Sequence, residues 1–314
     1  MGLSMTVKSR TVHLMGTVIK VQIEHDDPEP ILDEVVRRLK SYEQRFSAND
    51  RRSELMQISQ KAGFEPVKVD PELYQLIKIG KQISAYQNDN LNIAIGPLVR
   101  TWRIGFNDAR VPTESEINSA LAKTNPNDIE LDDTHQTVFL RRLGMAIDLG
   151  SLAKGYFADL IAAYLKQQDV ASGLINLGGN VVVFGPNFKT TSGNWRIGIQ
   201  APGQPRGIHR LILNLQDKSI VTSGIYERHL EQAGHDYHHI LDRRTGYPVK
   251  TDLASLTIIS DRSIDGEIWT GRLFGLSQNV IIAQLAVMDG IDGVLINKDG
   301  SVISTLPKQA TVIL

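Results

Sequence analysis

The 314-residue chain contains no cysteine. That absence excludes disulfides, thiolate metal sites, a cysteine nucleophile and a lipid-modified N-terminal cysteine. Net charge is also nearly absent, since 34 basic against 35 acidic side chains leave a formal charge of -1. No bulk attraction to nucleic acid or to an anionic membrane follows, so neither is expected as a partner, and any phosphate recognition has to be local. The opening MGLSMTVKSRTVHLMG lacks a basic segment followed by a long apolar core and does not read as a signal peptide. A cytoplasmic location is the expectation from these absences. MGLSMT fits the N-myristoylation pattern, but a pattern this short is met often by chance. The chain has no internal repeat, no low-complexity segment, no P-loop and no GxGxxG.

What is present is an ordinary globular composition, 41% hydrophobic, over a length that supports a substantial core. Alternation in TVHLMGTVIKVQIE predicts an opening strand interrupted at Gly16. Helical spacing of apolar residues predicts helices over 28–46, 71–87 and 114–124, and a further helix over 152–168 behind a Gly-rich turn. Strands are expected in GLINLGGNVVVFG, NWRIGIQAPG, RLILNLQDKSIVTSG, HHILDRRTG and SLTIIS. A helix is expected to open in GEIWTGRLFGL, and a closing hairpin around Asp299-Gly300. This mix predicts an α+β protein with mixed or antiparallel sheets flanked by helices, not a regular βαβ array.

Several stretches can carry chemistry. DLGSLAKG places small residues and Lys154 at a helix start, where free amides and the helix dipole favour an anion; the plain alternative is a tight turn. NLGGN permits close backbone approach to a ligand, or is again a turn. Thr222 and Ser223 read as turn residues, His229 as a solvated helix-face residue and His235 as a loop residue. Asp261, Asp265 and Glu267 precede Thr270 in ISDRSIDGEIWTG; such oxygen donors suit a hard divalent cation or, alternatively, form a solvated acidic turn. In YHHILDRRTG, strand alternation sends His238 and His239 to opposite faces, so at most one of them serves a given site.

Seven stretches in order resemble the ApbE family, the FAD:protein FMN transferases. They are MGT at 15–17, SEL at 53–55, IGPLVRTWRIGF at 95–106, DLGSLAKGYFAD at 148–159, NLGGN at 176–180, TSGIYER at 222–228 and HILDRRTGYP at 239–248. The resemblance spans roughly residues 11 to 280 and implies an ApbE-type fold, with 1–314 as a single domain and 1–10 as a loose N-terminal extension. It also implies magnesium-dependent transfer of FMN from FAD to a threonine hydroxyl of an acceptor flavoprotein, in a D-x-x-[ST]-G-A-T-like motif, with release of AMP.

Carried over residue by residue, the resemblance makes Met15, Asn90, Leu91, Asn92, Asp148, Lys154 and Leu241 FAD contacts. Asn92 stands where many members have aspartate. It gives Ser151 a carbonyl bound to the metal and makes His239 the catalytic histidine. Members usually carry A-D-A-x-x-T as the metal segment. Ungapped counting from His239 puts the aspartate on Glu267 and the threonine on Gly271, so a longer carboxylate replaces the usual one and the threonine ligand is missing or displaced to Thr270. At Asn49 many members have a tyrosine that stacks on adenine, and its loss is expected to weaken adenine binding by about 1–3 kcal/mol. Two alternatives follow from these departures. One is an FAD pyrophosphatase yielding FMN and AMP, and the other a non-catalytic FAD-binding protein.

Overall fold

The computed structural model describes residues 6–86, 89–187 and 189–313. The first five residues, with the myristoylation pattern and half of the expected N-terminal extension, lie outside these. Residues 6–10 are not an extension: they open strand β1 (Thr6–Leu14), which pairs along its whole length with β2 (Thr17–His25). What reads in sequence as one strand broken at Gly16 is therefore a hairpin. Its two-residue turn has φ of +54° at Met15 and +69° at Gly16, the positive pair that a type I′ turn needs.

After a proline start, α1 (Pro28–Phe46) buries Ile31, Leu32, Val35, Leu39, Tyr42 and Phe46 at helical spacing. Ser53 of the SEL block caps a short α2 (Glu54–Gln60) by accepting the Met56 amide at 3.0 Å. Then come β3 (Val67–Lys68), α3 (Pro71–Ser84), α4 (Gly96–Trp102) and α5 (Glu114–Leu121), the last closed by a capping box between Thr113 and Glu116. A hairpin of β4 (Ile129–Asp132) and β5 (Thr137–Leu140) leads into α6 (Ala153–Gln167). Strands β6 (Ser172–Leu177), β7 (Asn180–Phe184), β8 (Trp195–Gln200), β9 (His209–Leu215) and β10 (Lys218–Gly224) follow. A short ribbon of β11 (His229–Gln232) and β12 (His235–His238) precedes β13 (Leu253–Ser260). The chain closes with α7 (Ser263–Leu273), α8 (Gln278–Leu285), β14 (Asp292–Asn297), β15 (Val302–Ser304) and β16 (Thr311–Ile313).

Eight strands form one antiparallel sheet in the order β1-β2-β6-β7-β10-β13-β14-β15. Its central strands are buried on both faces, and alternation assigns each face its cover. Val182 and Phe184 of β7 pack with α1, α3 and α6. Val181 and Val183 face the opposite way, onto the small β16-β9-β8 sheet and its Trp195, Ile197, Leu211 and Leu213. Leu256 and Ile258 of β13 join α7 and α8 in a third cluster. The fold is thus α+β, as the element mix predicts, and its ladders are antiparallel throughout the large sheet.

Four local expectations change. Thr222 and Ser223 are not turn residues but lie inside β10, where Thr222 Oγ1 meets Thr257 Oγ1 at 2.9 Å. His229 lies on strand β11 rather than a helix, and His235 begins β12 rather than sitting in a loop; both are exposed. No described helix is long and apolar enough to cross a membrane.

Candidate active site

One end of the large sheet gathers three of the sequence blocks. Ile19 pairs with Leu177, so the Met15–Gly16 turn and the Gly178–Gly179 turn are neighbours, and a Cβ on Gly178 would collide with the Thr17 side chain. The left-handed backbone of Met15 is fixed by its amide, which donates to the Glu43 carboxylate at 2.6 Å. Beyond the glycine turn stands Asn180. Its Nδ2 donates to Glu267 Oε1 at 2.9 Å, and its Oδ1 accepts from Ser263 Oγ at 2.7 Å.

The helix bearing Glu267 is seated by α6. Asp159 accepts the amides of Ser263 at 2.7 Å and Ile264 at 2.9 Å, so it satisfies donors left free at the start of α7. Gly155 lets the two helices touch, because a Cβ there would stand 2.6 Å from both Glu267 Cγ and the Ser263 carbonyl oxygen. The small residues and the final aspartate of DLGSLAKGYFAD are therefore the socket of α7. Glu267 ends up 5% exposed. Burial raises its pKa, opposed by the charge of Lys154, the Asn180 hydrogen bond and the first-turn amide of Gly155. Among the described residues no cationic side chain lies within ion-pair distance of it.

A second wall is built from irregular chain. Strand β12 ends at His238, which is 6% exposed and held through Nε2 to the Val249 carbonyl at 3.0 Å. The strand expected through HHILDRRTG therefore stops at its first residue, because the chain turns away after His238, and strand alternation does not govern His239. The next residue turns outward: both the amide and Nδ1 of His239 reach the Arg228 carbonyl, each at 3.1 Å. A carbonyl only accepts, so Nδ1 carries the proton and Nε2 keeps its lone pair. Burial is the main force pushing the His239 pKa down to about 4; the Arg228 hydrogen bond opposes it, and the charges of Arg228, His238 and Lys154 add to it. The ring is neutral at pH 7.

The turn behind His239 is pinned from several sides. Trp102 Nε1 donates to the Gly246 carbonyl at 2.7 Å, and Asp242 N to the Tyr247 carbonyl at 2.7 Å. Asn90 bridges to it, giving Nδ2 to the Leu241 carbonyl at 2.8 Å and taking the Arg243 amide at 3.0 Å. The Arg243 guanidinium then donates to the carbonyls of Ser84, Tyr86 and Leu91, all at 2.9 Å.

The walls meet around the start of α6. Asp148 donates its amide to the Ile93 carbonyl at 2.8 Å and accepts the Gly150 amide at 2.8 Å, shaping the turn that leaves Ser151 exposed and Lys154 in the first helical turn. Burial raises the Asp148 pKa, opposed by the Gly150 amide and by the charges of Arg100 and Arg228. Lys154 makes no ion pair among the described residues, yet its charge acts on both Glu267 and His239. The arrangement combines a proton acceptor, a buried carboxylate, an uncommitted ammonium and a helix N-terminus. That set can hold an anion and deprotonate a neighbouring alcohol.

The residues singled out in sequence fall into three groups. His239, Lys154, Asp148, Ser151 and Glu267 converge here, and Met15 borders them across the glycine turn. Asn90, Leu91 and Leu241 form the support behind His239. Asn92 and Asn49 have other settings: the buried amide of Asn92 caps the 93–95 turn through Ala94 N at 2.9 Å and donates to the Thr124 carbonyl at 2.8 Å, while Asn49 is exposed in the turn after α1. Thr270 is buried with its hydroxyl donating to the Glu267 carbonyl at 3.1 Å. Gly271 offers no donor atom, and Leu91 fills the space beside it, with Cδ1 3.0 Å from where a Cβ would stand. Asp261 and Asp265 pair with Lys218 and Arg262 at the surface. Asn180, Asp159, Gly155, Arg228 and Arg243 were not singled out. Asn180 had a signal, being a polar residue opening an otherwise apolar NVVVF strand, and so did Asp159, an acid among the apolar residues of YFADLIAAYL.

The family model for ApbE matches residues 15–295. A protein of Klebsiella pneumoniae (strain 342) named FAD:protein FMN transferase is 41% identical over 303 residues, covering 96% of this chain and 93% of its own length. One of the same name from Treponema pallidum is 33% identical over 93% of this chain and 84% of itself. Among solved structures, the ApbE protein of Thermotoga maritima superposes with a TM-score of 0.86 at 27% identity, covering 95% of this chain and 97% of its own. The flavin transferase ApbE of Vibrio cholerae gives 0.82 at 25% identity, over 97% and 98%.

Proposed function

The chain belongs to the ApbE family and is a transferase, and from that premise we propose that it moves FMN from FAD onto a threonine hydroxyl of an acceptor flavoprotein. The threonine oxygen forms a bond to the FMN-side phosphorus while the bond from that phosphorus to the bridging oxygen breaks. The bridging oxygen leaves with AMP, and the threonine proton passes to His239 Nε2 and then to solvent. The observation that carries this reading is the His239 tautomer, fixed by the Arg228 carbonyl so that a neutral ring presents its acceptor nitrogen. Lys154 neutralises phosphate charge, and Asp148, Met15, Leu91 and the Leu241 carbonyl, steadied by Asn90, line the FAD. We read residues 1–314 as one domain.

Magnesium fits the donor set in a restricted sense. Glu267 is a buried carboxylate without a cationic partner, whereas no described group of three histidine or acidic side chains could enclose an ion. A hard cation held by one carboxylate and the Ser151 carbonyl, completed by substrate oxygens and water, matches this set. Bound there, magnesium would supply charge neutralisation at the pyrophosphate. Thr270 Oγ1 gives its hydrogen to the Glu267 carbonyl and keeps lone pairs that a cation can use, while Gly271 has no side-chain donor, so in this reading Glu267 is the principal side-chain ligand and Thr270 a further one. The acceptor motif is of the D-x-x-[ST]-G-A-T type.

Mass spectrometry of co-expressed flavoprotein domains with FAD and magnesium tests the reaction. The acceptor should gain the mass of FMN less water, with AMP released. A second reading, hydrolysis of FAD to FMN and AMP, draws support from Asn49, exposed where an aromatic platform would shield the adenine. Free FMN formed without acceptor selects hydrolysis; bound FAD with neither product selects a non-catalytic flavin-binding protein.

A further inference from the structure

Among the described residues two cations of this site have neither an ion pair nor a side-chain hydrogen bond, since Arg100 reaches Met56 Sδ at 2.9 Å, and only Lys154 has a role in the reading above. The other, Arg228, ends the TSGIYER block just before β11. Its side chain occupies the space left by Gly105: a Cβ there would be 2.8 Å from Arg228 Cδ and 3.2 Å from Cγ, and the glycine's φ of +90° already disfavours any other residue. The stem of Arg228 thus has a fixed seat although the residue is exposed. Among the described residues its guanidinium makes no ion pair and no hydrogen bond. Nearby Arg103 shows the usual surface outcome, holding Asp108 at 2.8 Å. The charge of Arg228 is felt instead by His239 and Asp148. Its main chain bears on the same histidine, since its carbonyl accepts both the amide and Nδ1 of His239.

We propose that Arg228 is a further catalytic residue, binding the non-bridging phosphate oxygens of the FAD pyrophosphate together with Lys154. This rests on the transferase reading. A guanidinium offers paired donors matched to two phosphate oxygens and remains charged at any working pH. Through its carbonyl Arg228 also holds the proton on Nδ1, which couples phosphate binding to the orientation of the base.

Arg228→Met keeps an apolar stem over Gly105 and removes the charge, whereas Arg228→Lys restores a cation without the fork. We expect Arg228→Met to fold with an unchanged Tm and to lose about 10²-fold in kcat/KM for FMN transfer, as removal of a charge-stabilising donor does, with partial rescue in Arg228→Lys. Inhibition by inorganic pyrophosphate should weaken about tenfold. The acid limb of the kcat/KM profile should move to higher pH, because His239 would then face only Lys154 as a neighbouring cation, His238 being a buried ring whose Nδ1 accepts the Ile240 amide. Wild-type turnover, pyrophosphate inhibition and pH limb in Arg228→Met would overturn the proposal. If the wild type transfers no FMN to any acceptor, calorimetric binding of inorganic pyrophosphate to wild type and Arg228→Met decides it independently: loss of binding in the variant supports the site, and equal binding refutes it.

Discussion

The two walls of the site are made in different ways. Glu267 projects from a regular helix, and every group that fixes it comes from another regular element or its first residue: Asp159 and Gly155 of α6, Asn180 of β7. His239 stands just past the end of a two-stranded ribbon, in a turn held by main-chain carbonyls and by the long side chains of Asn90 and Arg243. The carboxylate wall is stiff because helix and strand positions leave its side chains few alternatives. The histidine wall is a loop pinned by hydrogen bonds. In the proposed reaction a charge that must not move and a base that must follow its substrate would call for these two constructions.

Apart from loss of the proposed base itself, changes in the stiff wall should have the largest effects. Glu267→Gln keeps an oxygen that can accept from Asn180 but removes the charge, and is expected to abolish the magnesium dependence of transfer and lower kcat by about 10²–10³-fold. The same variant should be more stable without metal. Burial raises the Glu267 pKa, so its ionised form costs stability above the ordinary carboxylate range, and Tm at pH 7 should rise by about 2–4 °C. A scanning-calorimetry result with lower Tm would contradict this account of Glu267. Gly155→Ala should separate α6 from α7 at a cost of about 1–3 kcal/mol, seen in denaturant unfolding, and should lower transfer by moving Glu267. Unchanged activity there would show that the carboxylate wall tolerates displacement.

The supports of the histidine wall should respond more gently. Arg243→Ala leaves the Ser84, Tyr86 and Leu91 carbonyls to other partners and frees the turn; we expect a loss of about 1–3 kcal/mol in stability and a fall in kcat larger than any rise in KM for FAD. If KM alone changes, Arg243 supports the flavin and not the base. The smallest effect is a pH slope. His239 has a folded pKa of about 4 against an ordinary 6.5, so the unfolded chain binds more protons between these values and stability is lost as pH falls through that window. Thermal melts from pH 6.5 to 4 should show a shallower decline in His239→Gln than in the wild type.

These constructions also explain what could be read beforehand. Helical periodicity located α1, α3, α5 and α6, and the family blocks with the counting from His239 point to three residues, His239, Lys154 and Glu267, of which the charge of Lys154 acts on both others. The supporting residues were harder to see. Asn180 and Asp159 matter through contacts 83 to 105 residues away in the chain, and no local pattern encodes such pairs. Thr222, Ser223 and His229 were misread because polar residues near glycine look like turns or helix faces, whereas pairing with β13 and β12 places them on strands. Asn92 is a motif position whose side chain also has a structural task, capping the 93–95 turn and donating to the Thr124 carbonyl.

The central claim is that a neutral His239 receives the acceptor's proton while the stiff wall holds the charge. Single-turnover formation of the FMN–acceptor adduct, followed by mass spectrometry with FAD and magnesium saturating, tests it most directly. His239→Gln should bind FAD as the wild type does and form adduct about 10²–10⁴-fold more slowly. Adduct formation at the wild-type rate in that variant would contradict it.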